Sequence, residues 1–428
     1  MDKTEETKIQ DNLSISTVDD TLYLNIEDII KPPKQTICLA MIVKNETKVL
    51  ERCFDSLYND KHKIINYWVI CDTGSTDGTQ ELIKNYWEKK GVPGELHQHE
   101  WRNFGHNRSL LMKLAKGKSD YIITLDADEV FKFDDDFVMP YLFKDMYLIW
   151  SHKGTIEYQR LQLVSDKFDW YYKGICHEYL THVEKEGNTP VTKDIMPKMK
   201  NIPYPDGSRS SDPHKYKRDA LIFEQALLDE PDNSRYIYYT AQSYRDCQEY
   251  ATAIKYYKKR VEMAPNCNSE ETYYAQYQIA LCKICNNEPF ESYAMDLLKA
   301  YNIRPIRLEA AHVFLKCARA NKLSLVAFQT FKHIMDRPRL HTDDTSFITP
   351  EIYDWSMLNE LALAAVASGF YVDAVKILDR IKRENRYPNE MKDIINNNLN
   401  TLNNIIASGN QNVKIQMADE PIEVKQIK

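Results

Sequence analysis

The chain has 428 residues, room for two or three domains, with 43% hydrophobic and 28% charged positions, the proportions of soluble globular protein. Its formal charge of −7, from 56 basic and 63 acidic residues, leaves no basic footprint for nucleic acid, and no apolar run approaches the roughly 20 residues that cross a bilayer. Nine scattered cysteines read as reduced thiols of a cytoplasmic protein rather than a disulfide framework.

Residues 1–34 are acidic and polar, which predicts a disordered tail rather than a signal or transit peptide. From residue 35 to 184, strands alternate with helices. Thr36 to Val43 (TICLAMIV) is a continuous β-rich run, as suits a strand buried on both faces. Val49, Leu50, Cys53, Phe54, Leu57 and Tyr58 then make one helical stripe. INYWVICD and YIITLD are further strands, and TQELIKNYWEKK and NRSLLMKLAK are helices closed by Gly91 and Gly117. This rhythm predicts an α/β domain with a parallel sheet covered by helices. Beyond Asp145, three strand-like runs lack helical partners, so mixed or antiparallel pairing is expected there.

Residues 185–215 carry Pro190, Pro197, Pro203, Pro205 and Pro213 and read as a linker or flap. Residues 216–405 are helical in pattern, with residues 406–428 as a C-terminal tail. NSRYIYYTAQSYRDCQEYATAIKYYKKRVEMAP sets small Ala241 and Ala253 among large aromatics and ends at Pro265, 34 positions after Pro231. The next segment repeats the scheme loosely to Pro305. These units resemble tetratricopeptide repeats, an all-α helical-repeat domain; a plain helical bundle is the alternative. Cys282-x-x-Cys285 has neither a second pair nor a nearby His, and reads as helix packing.

The chemistry concentrates where strand YIITLD ends in Asp126, Ala127, Asp128 and Glu129. In extended chain, positions i and i+2 project to the same side, so Asp126 and Asp128 can face one point. In open α/β sheets, ligands bind beyond the carboxyl ends of strands. Carboxylates crowded there repel one another. Mg²⁺ or Mn²⁺, sharing its shell with substrate phosphates, would relieve them.

Three ordered motifs, LAMIVKNE, VICDTGSTDGT and TLDADE, resemble family 2 glycosyltransferases of the GT-A fold, with Thr73 where the family more often has Asp. The resemblance implies a metal-dependent hexosyltransferase-type enzyme, using a nucleotide-sugar (a UDP-sugar) and inverting the anomeric carbon. It implies nucleotide contacts from Asp72 (to the base), Glu46, Asn107, Arg108 and Asp126 (to the ribose), and a metal held by Asp128 with Asp126. Asp77 is expected to cap the helix after VICDTGSTDG, with Gln80 reaching back. Arg108 opens a helix, where the macrodipole disfavours a cation unless an anion sits nearby.

YYKGICHEYL is similar to the His-Glu element that ends one branch of the family. His177 is a candidate to complete the metal shell, and Glu178 to act as general base toward the acceptor; Asp169 is the second candidate base. Arg209, His214 and Lys215 could form a basic flap over a diphosphate. The acceptor, a glycan or a protein, is expected to be held by the helical repeats, with no nucleic-acid partner and no membrane span. Two other readings stand beside this one. A nucleotidylyltransferase would want a glycine-rich loop after the first strand, and VKNETKVL has no glycine. A peptide-binding scaffold with an inactive transferase domain is disfavoured by the intact Asp72, Asp126 and Asp128.

Overall fold

The structure, a computed structural model, describes residues 15–18, 21–24, 34–184, 190–263 and 269–408. Near the amino end, β1 (Ile15–Val18) and β2 (Thr21–Leu24) pair antiparallel, apart from the main sheet. The rest of the expected N-terminal tail, residues 185–189 of the expected linker and residues 409–428 of the C-terminal tail lie outside the described residues.

The α/β domain begins with β3 (Ile37–Val43), α1 (Leu50–Leu57), β4 (Tyr67–Asp72), α2 (Thr79–Lys90), β5 (Gly94–Gln98), α3 (Phe104–Ala115) and β6 (Tyr121–Thr124). These four strands are parallel and lie in the order β5-β4-β3-β6. Chain order reverses beside β3, so the crevice at the carboxyl ends of β3, β4 and β6 is the topological switch point. Helix α1 turns Leu50, Cys53, Phe54 and Leu57 onto one face of the sheet, against Leu39, Met41 and Ile70. Each such leucine, isoleucine, methionine or phenylalanine side chain is worth roughly 1.5–3 kcal/mol once buried. On the other face, Leu111, Met112 and Ala115 of α3 pack on Cys38, Ala40, Val69 and Ile122. Gly91 closes α2 with φ +67°, as its position after the last apolar residue suggested.

The sheet continues through β7 (Glu129–Phe133), β8 (Met146–Lys153), β9 (Ile156–Ser165) and β12 (Lys193–Pro203), in the order β6-β9-β8-β12-β7. Pairing here is mixed, as expected from strands without intervening helices. A separate hairpin, β10 (Trp170–Lys173) with β11 (Tyr179–His182), packs on α3.

The proline-rich stretch departs from the expected linker. Its residues 193–203 form an eleven-residue strand between β8 and β7. The prolines are absorbed by irregularity: the register with β8 shifts between Ile195 and Lys200, around Pro197 and a left-handed Lys198 (φ +57°). Among the described residues of this stretch, 204–208 form the flap, folding back over the strand ends.

Helices α4 (Lys215–Asp229), α5 (Ser234–Asp246), α6 (Tyr250–Glu262), α7 (Ser269–Cys285), α8 (Phe290–Ile303), α9 (Glu309–Ala320), α10 (Ser324–Phe331), α11 (Met357–Ala367), α12 (Tyr371–Glu384) and α13 (Met391–Ser408) complete the chain's described part. Successive helices pack on one another along the chain, the quasi-linear stack of a helical repeat rather than a closed bundle. The two domains are joined by backbone pairing. Glu157 of β9 exchanges hydrogen bonds with Ile348 at 2.8 and 2.9 Å, and Gln159 N–H donates to Thr345 O at 2.9 Å. Among the described residues no helix is long and apolar enough to cross a membrane.

Candidate active site

Asp72 ends β4 fully buried. Its Oδ1 accepts Gly74 N–H and Ser75 N–H at 2.9 Å and the Gln80 amide at 3.1 Å. Its Oδ2 is equally buried and has no partner. A carboxylate oxygen left bare in such a place costs free energy unless a ligand donor reaches it. Gln80 thus serves Asp72 rather than a capping box. Asp77 instead accepts from Thr79 and Thr47, and the position before α2 is taken by left-handed Gly78.

Asp126, just past β6, is held between two guanidiniums. Arg108 donates to its Oδ1, and Arg160 of β9 lies 3.5 Å from Oδ2. Burial opposes its ionisation, but the two arginines outweigh that and hold it at about 2. Arg108 Nε also lies 2.7 Å from Glu178 Oε1. That N–H is off the line of an aligned hydrogen bond, so the contact is chiefly one of charge. Arg160 in turn pairs with buried Glu129. The structure therefore brings Arg108, Asp126 and Glu178 into one network and adds Arg160 and Glu129. A cation near the start of α3 is explained by its two carboxylates. The hairpin that carries Glu178 is pressed onto α3 at Gly105, where a Cβ would come within 2.0 Å of the Gly174 carbonyl. No other residue permits that approach.

Asp128 stands apart from the arginines. Burial and the charge of Asp126 raise its pKa. Glu46, nearby, is pushed up to about 7 by burial and by the charges of Asp128, Asp77 and Asp126, with Ser208 N–H opposing. Over both lies the flap: Tyr204 N–H donates to Asp128 O, Ser208 N–H to the Glu46 carboxylate, and Arg52 grips Asp206 at 2.6 and 2.7 Å. At Gly207 a Cβ would lie 2.7 Å from Asp128 Oδ2, so glycine lets this backbone lie on the carboxylate. Oxygen donors with excess negative charge suit a hard divalent cation. Asp128 fits that role, with Glu46 adjacent. Asp126 fits it poorly, because both its oxygens face guanidiniums.

Three expected site residues take other places. Asn107 is buried, and its amide is committed to the backbone of the preceding loop, accepting from Arg102 N–H and donating to Glu100 O, both at 3.0 Å. Asp169 lies 3.4 Å from Lys116 at the far end of α3, about 12 Å along the helix from Arg108 at 1.5 Å per residue. His177 adopts φ +48° and stacks on Tyr239 at 4.4 Å. It groups with Cys176 and Asp219, which together form the one such trio with metal-ligand spacing among the described residues. Arg209, paired with Asp219, already supplies positive charge there. Desolvation by the surrounding side chains and the charges of Arg209 and Arg235 lower the pKa of His177, although the ring keeps an open side. Its exposure is toward a cavity of about 880 Å³ between the two domains, which Arg108, Asp126, Arg160, Glu178 and Arg209 also line. Of the expected flap cations, Arg209 reaches this cavity, and His214 and Lys215 do not line it.

Residues 38–189 match the profile of Glycosyl transferase family 2. These residues are a family 2 glycosyltransferase domain. Over 272 residues, the chain is 22% identical to the SPbeta prophage-derived glycosyltransferase SunS of Bacillus subtilis (strain 168). That alignment takes in 59% of this chain and 60% of the relative, so the chain matches only part of the relative's length. Among solved structures, S. aureus TarS 1-349 in complex with UDP-GlcNAc aligns at 12% identity with a TM-score of 0.28, covering 62% of this chain and 91% of that one. MamA aligns at 15% identity with a TM-score of 0.30, covering 40% of this chain and 82% of that one.

Proposed function

We propose that the protein transfers a sugar from a UDP-sugar to an acceptor, with inversion and with Mn²⁺ or Mg²⁺. The observation that carries the donor assignment is the bare Oδ2 of Asp72 at the switch-point crevice. It suits the N–H of a uracil, and Gln80 steadies the carboxylate from the other side. Asp128, with Glu46 beside it, would hold the cation, which when bound supplies charge neutralisation for a diphosphate. Asp126 is pinned by Arg108 and Arg160 in the posture of a hydrogen-bond acceptor for a ribose hydroxyl.

In this reading Glu178 takes the proton of the acceptor nucleophile. The nucleophile forms the new bond to the anomeric carbon from the face opposite UDP, and the bond to the UDP oxygen breaks. Arg108 orients Glu178 and, with Arg160, adds positive charge at the reaction centre. A general base contributes about 10²- to 10⁴-fold, so Glu178→Gln should lower turnover by that order with UDP affinity nearly unchanged. Screening UDP-sugars for slow hydrolysis by the full chain tests the reading. Release of UDP from at least one, dependent on Mn²⁺ or Mg²⁺, is expected, and no release from any would refute it.

A further inference from the structure

Part of the cavity that Glu178 lines is built by the helical domain, and the transfer chemistry above leaves that part unexplained. Tyr274 and Gln278 lie at i and i+4 of α7, on one face. Gln278 is only 2% exposed, yet its Oε1 has no hydrogen-bond partner, and the Oε1 of Gln242 on α5 is likewise buried and bare. Both residues line the cavity. A buried amide oxygen without a donor costs about 1–3 kcal/mol. Two such oxygens on residues lining one cavity call for donors from whatever fills the space: water between turnovers, ligand hydroxyls during them.

Beside the amides runs an aromatic wall. Tyr274 stacks on Phe347 with centroids 4.7 Å apart, and Phe347 meets Tyr158 of β9 at 5.8 Å, so the wall crosses from one domain to the other. Flat aromatic faces meet the C–H face of a pyranose, while amide edges meet its hydroxyls. The cavity volume of about 880 Å³ lies within the range of about 300–1,000 Å³ that encloses compact ligands. An extended peptide would want an open groove or a free strand edge. Here the edge of β9 at Glu157 and Gln159 is already paired with residues 345–348.

The geometry points to a saccharide-binding acceptor subsite, built by Gln242, Tyr274 and Gln278 of the helical domain with Phe347 and Tyr158, in the cavity that Glu178 also lines. That its occupant is the acceptor rests on the transferase reading; that it binds a saccharide does not.

The test uses the full chain with a panel of oligosaccharides (hexose, N-acetylhexosamine, uronate and deoxyhexose) and a pool of random dodecapeptides. Saturation-transfer NMR reads binding without donor, and UDP-sugar assays read the ratio of transfer to hydrolysis. At least one oligosaccharide should bind. Gln278→Leu should cut its NMR signal at least fivefold and the transfer-to-hydrolysis ratio at least tenfold. Gln242→Leu, at a half-buried position, repeats the test should Gln278→Leu misfold. The inference is overturned if no oligosaccharide binds, if both variants bind it as wild type does, or if peptides alone accept sugar. Saccharide binding lost in Gln278→Leu, in a protein that never binds UDP, would refute the transferase reading and leave the subsite standing. UDP binding without any saccharide effect would do the reverse.

Discussion

Arg108→Met removes the one charge shared by Asp126 and Glu178 while keeping an apolar stem of similar length. The side chains of Arg108, Asp126 and Glu178 are 10%, 30% and 9% exposed. Taking away the partner of a buried charge typically costs ~3–5 kcal/mol. Asp126 keeps Arg160, so the lower end, ~3 kcal/mol at pH 7, is expected. The pH dependence carries the sharper signature. In the wild type Asp126 is held at about 2 against an ordinary 3.8. A depressed folded-state pKa gives stability that is present above the unfolded value and lost only as pH falls through about 2. In the variant, Arg160 alone opposes burial, so the pKa of Asp126 rises and the penalty fades as the carboxylate takes up its proton. The gap between the two proteins should therefore narrow from pH 7 to pH 4.5. Urea unfolding followed by tryptophan fluorescence reads this domain, since Trp68, Trp87, Trp101, Trp150 and Trp170 lie in it and only Trp355 lies elsewhere. A gap under ~1 kcal/mol at pH 7, or one that stays constant to pH 4.5, would refute the charge network.

Asp72→Ala should weaken UDP binding at least tenfold by calorimetry while leaving its metal dependence in place; unchanged affinity would make Asp72 a turn-former only. Gly105→Ala places a methyl 2.0 Å from the Gly174 carbonyl, a clash with backbone that cannot rotate away. It should lower the melting temperature by several degrees and reduce turnover by displacing Glu178, and a variant that melts and turns over like wild type would contradict that placement.

The strand-helix rhythm was legible because strands buried on both faces and helices with one apolar stripe have different periods, and β3, β4, β6, α1, α2 and α3 stand where those periods end. Asp72, Asp126 and Asp128 were legible as carboxylates at strand ends, and Arg108 as a cation on the wrong end of a helix. The strand β12 was hidden because its prolines lie at a bulge and at the strand end, where no ladder bond is needed. The pairing of Arg160 with Glu129 was missed because an ion pair between β9 and β7 is a product of sheet order. The one trace of it was an arginine amid a strand-like run, too weak to read alone. The turn of Asn107 to the backbone and of Asp169 to Lys116 was not legible, because chain position does not say which way a side chain turns or which end of α3 a loop approaches.

The central claim is that Asp128 anchors a cation that joins a nucleoside diphosphate to the switch-point crevice. Titration calorimetry of UDP into the full chain, with and without Mn²⁺, in wild type and Asp128→Asn, tests it most directly. Binding should be at least tenfold tighter with Mn²⁺ in the wild type, and that gain should vanish in Asp128→Asn while the metal-free affinity stays the same. UDP binding of equal strength in all four titrations, or none in any, would contradict the account.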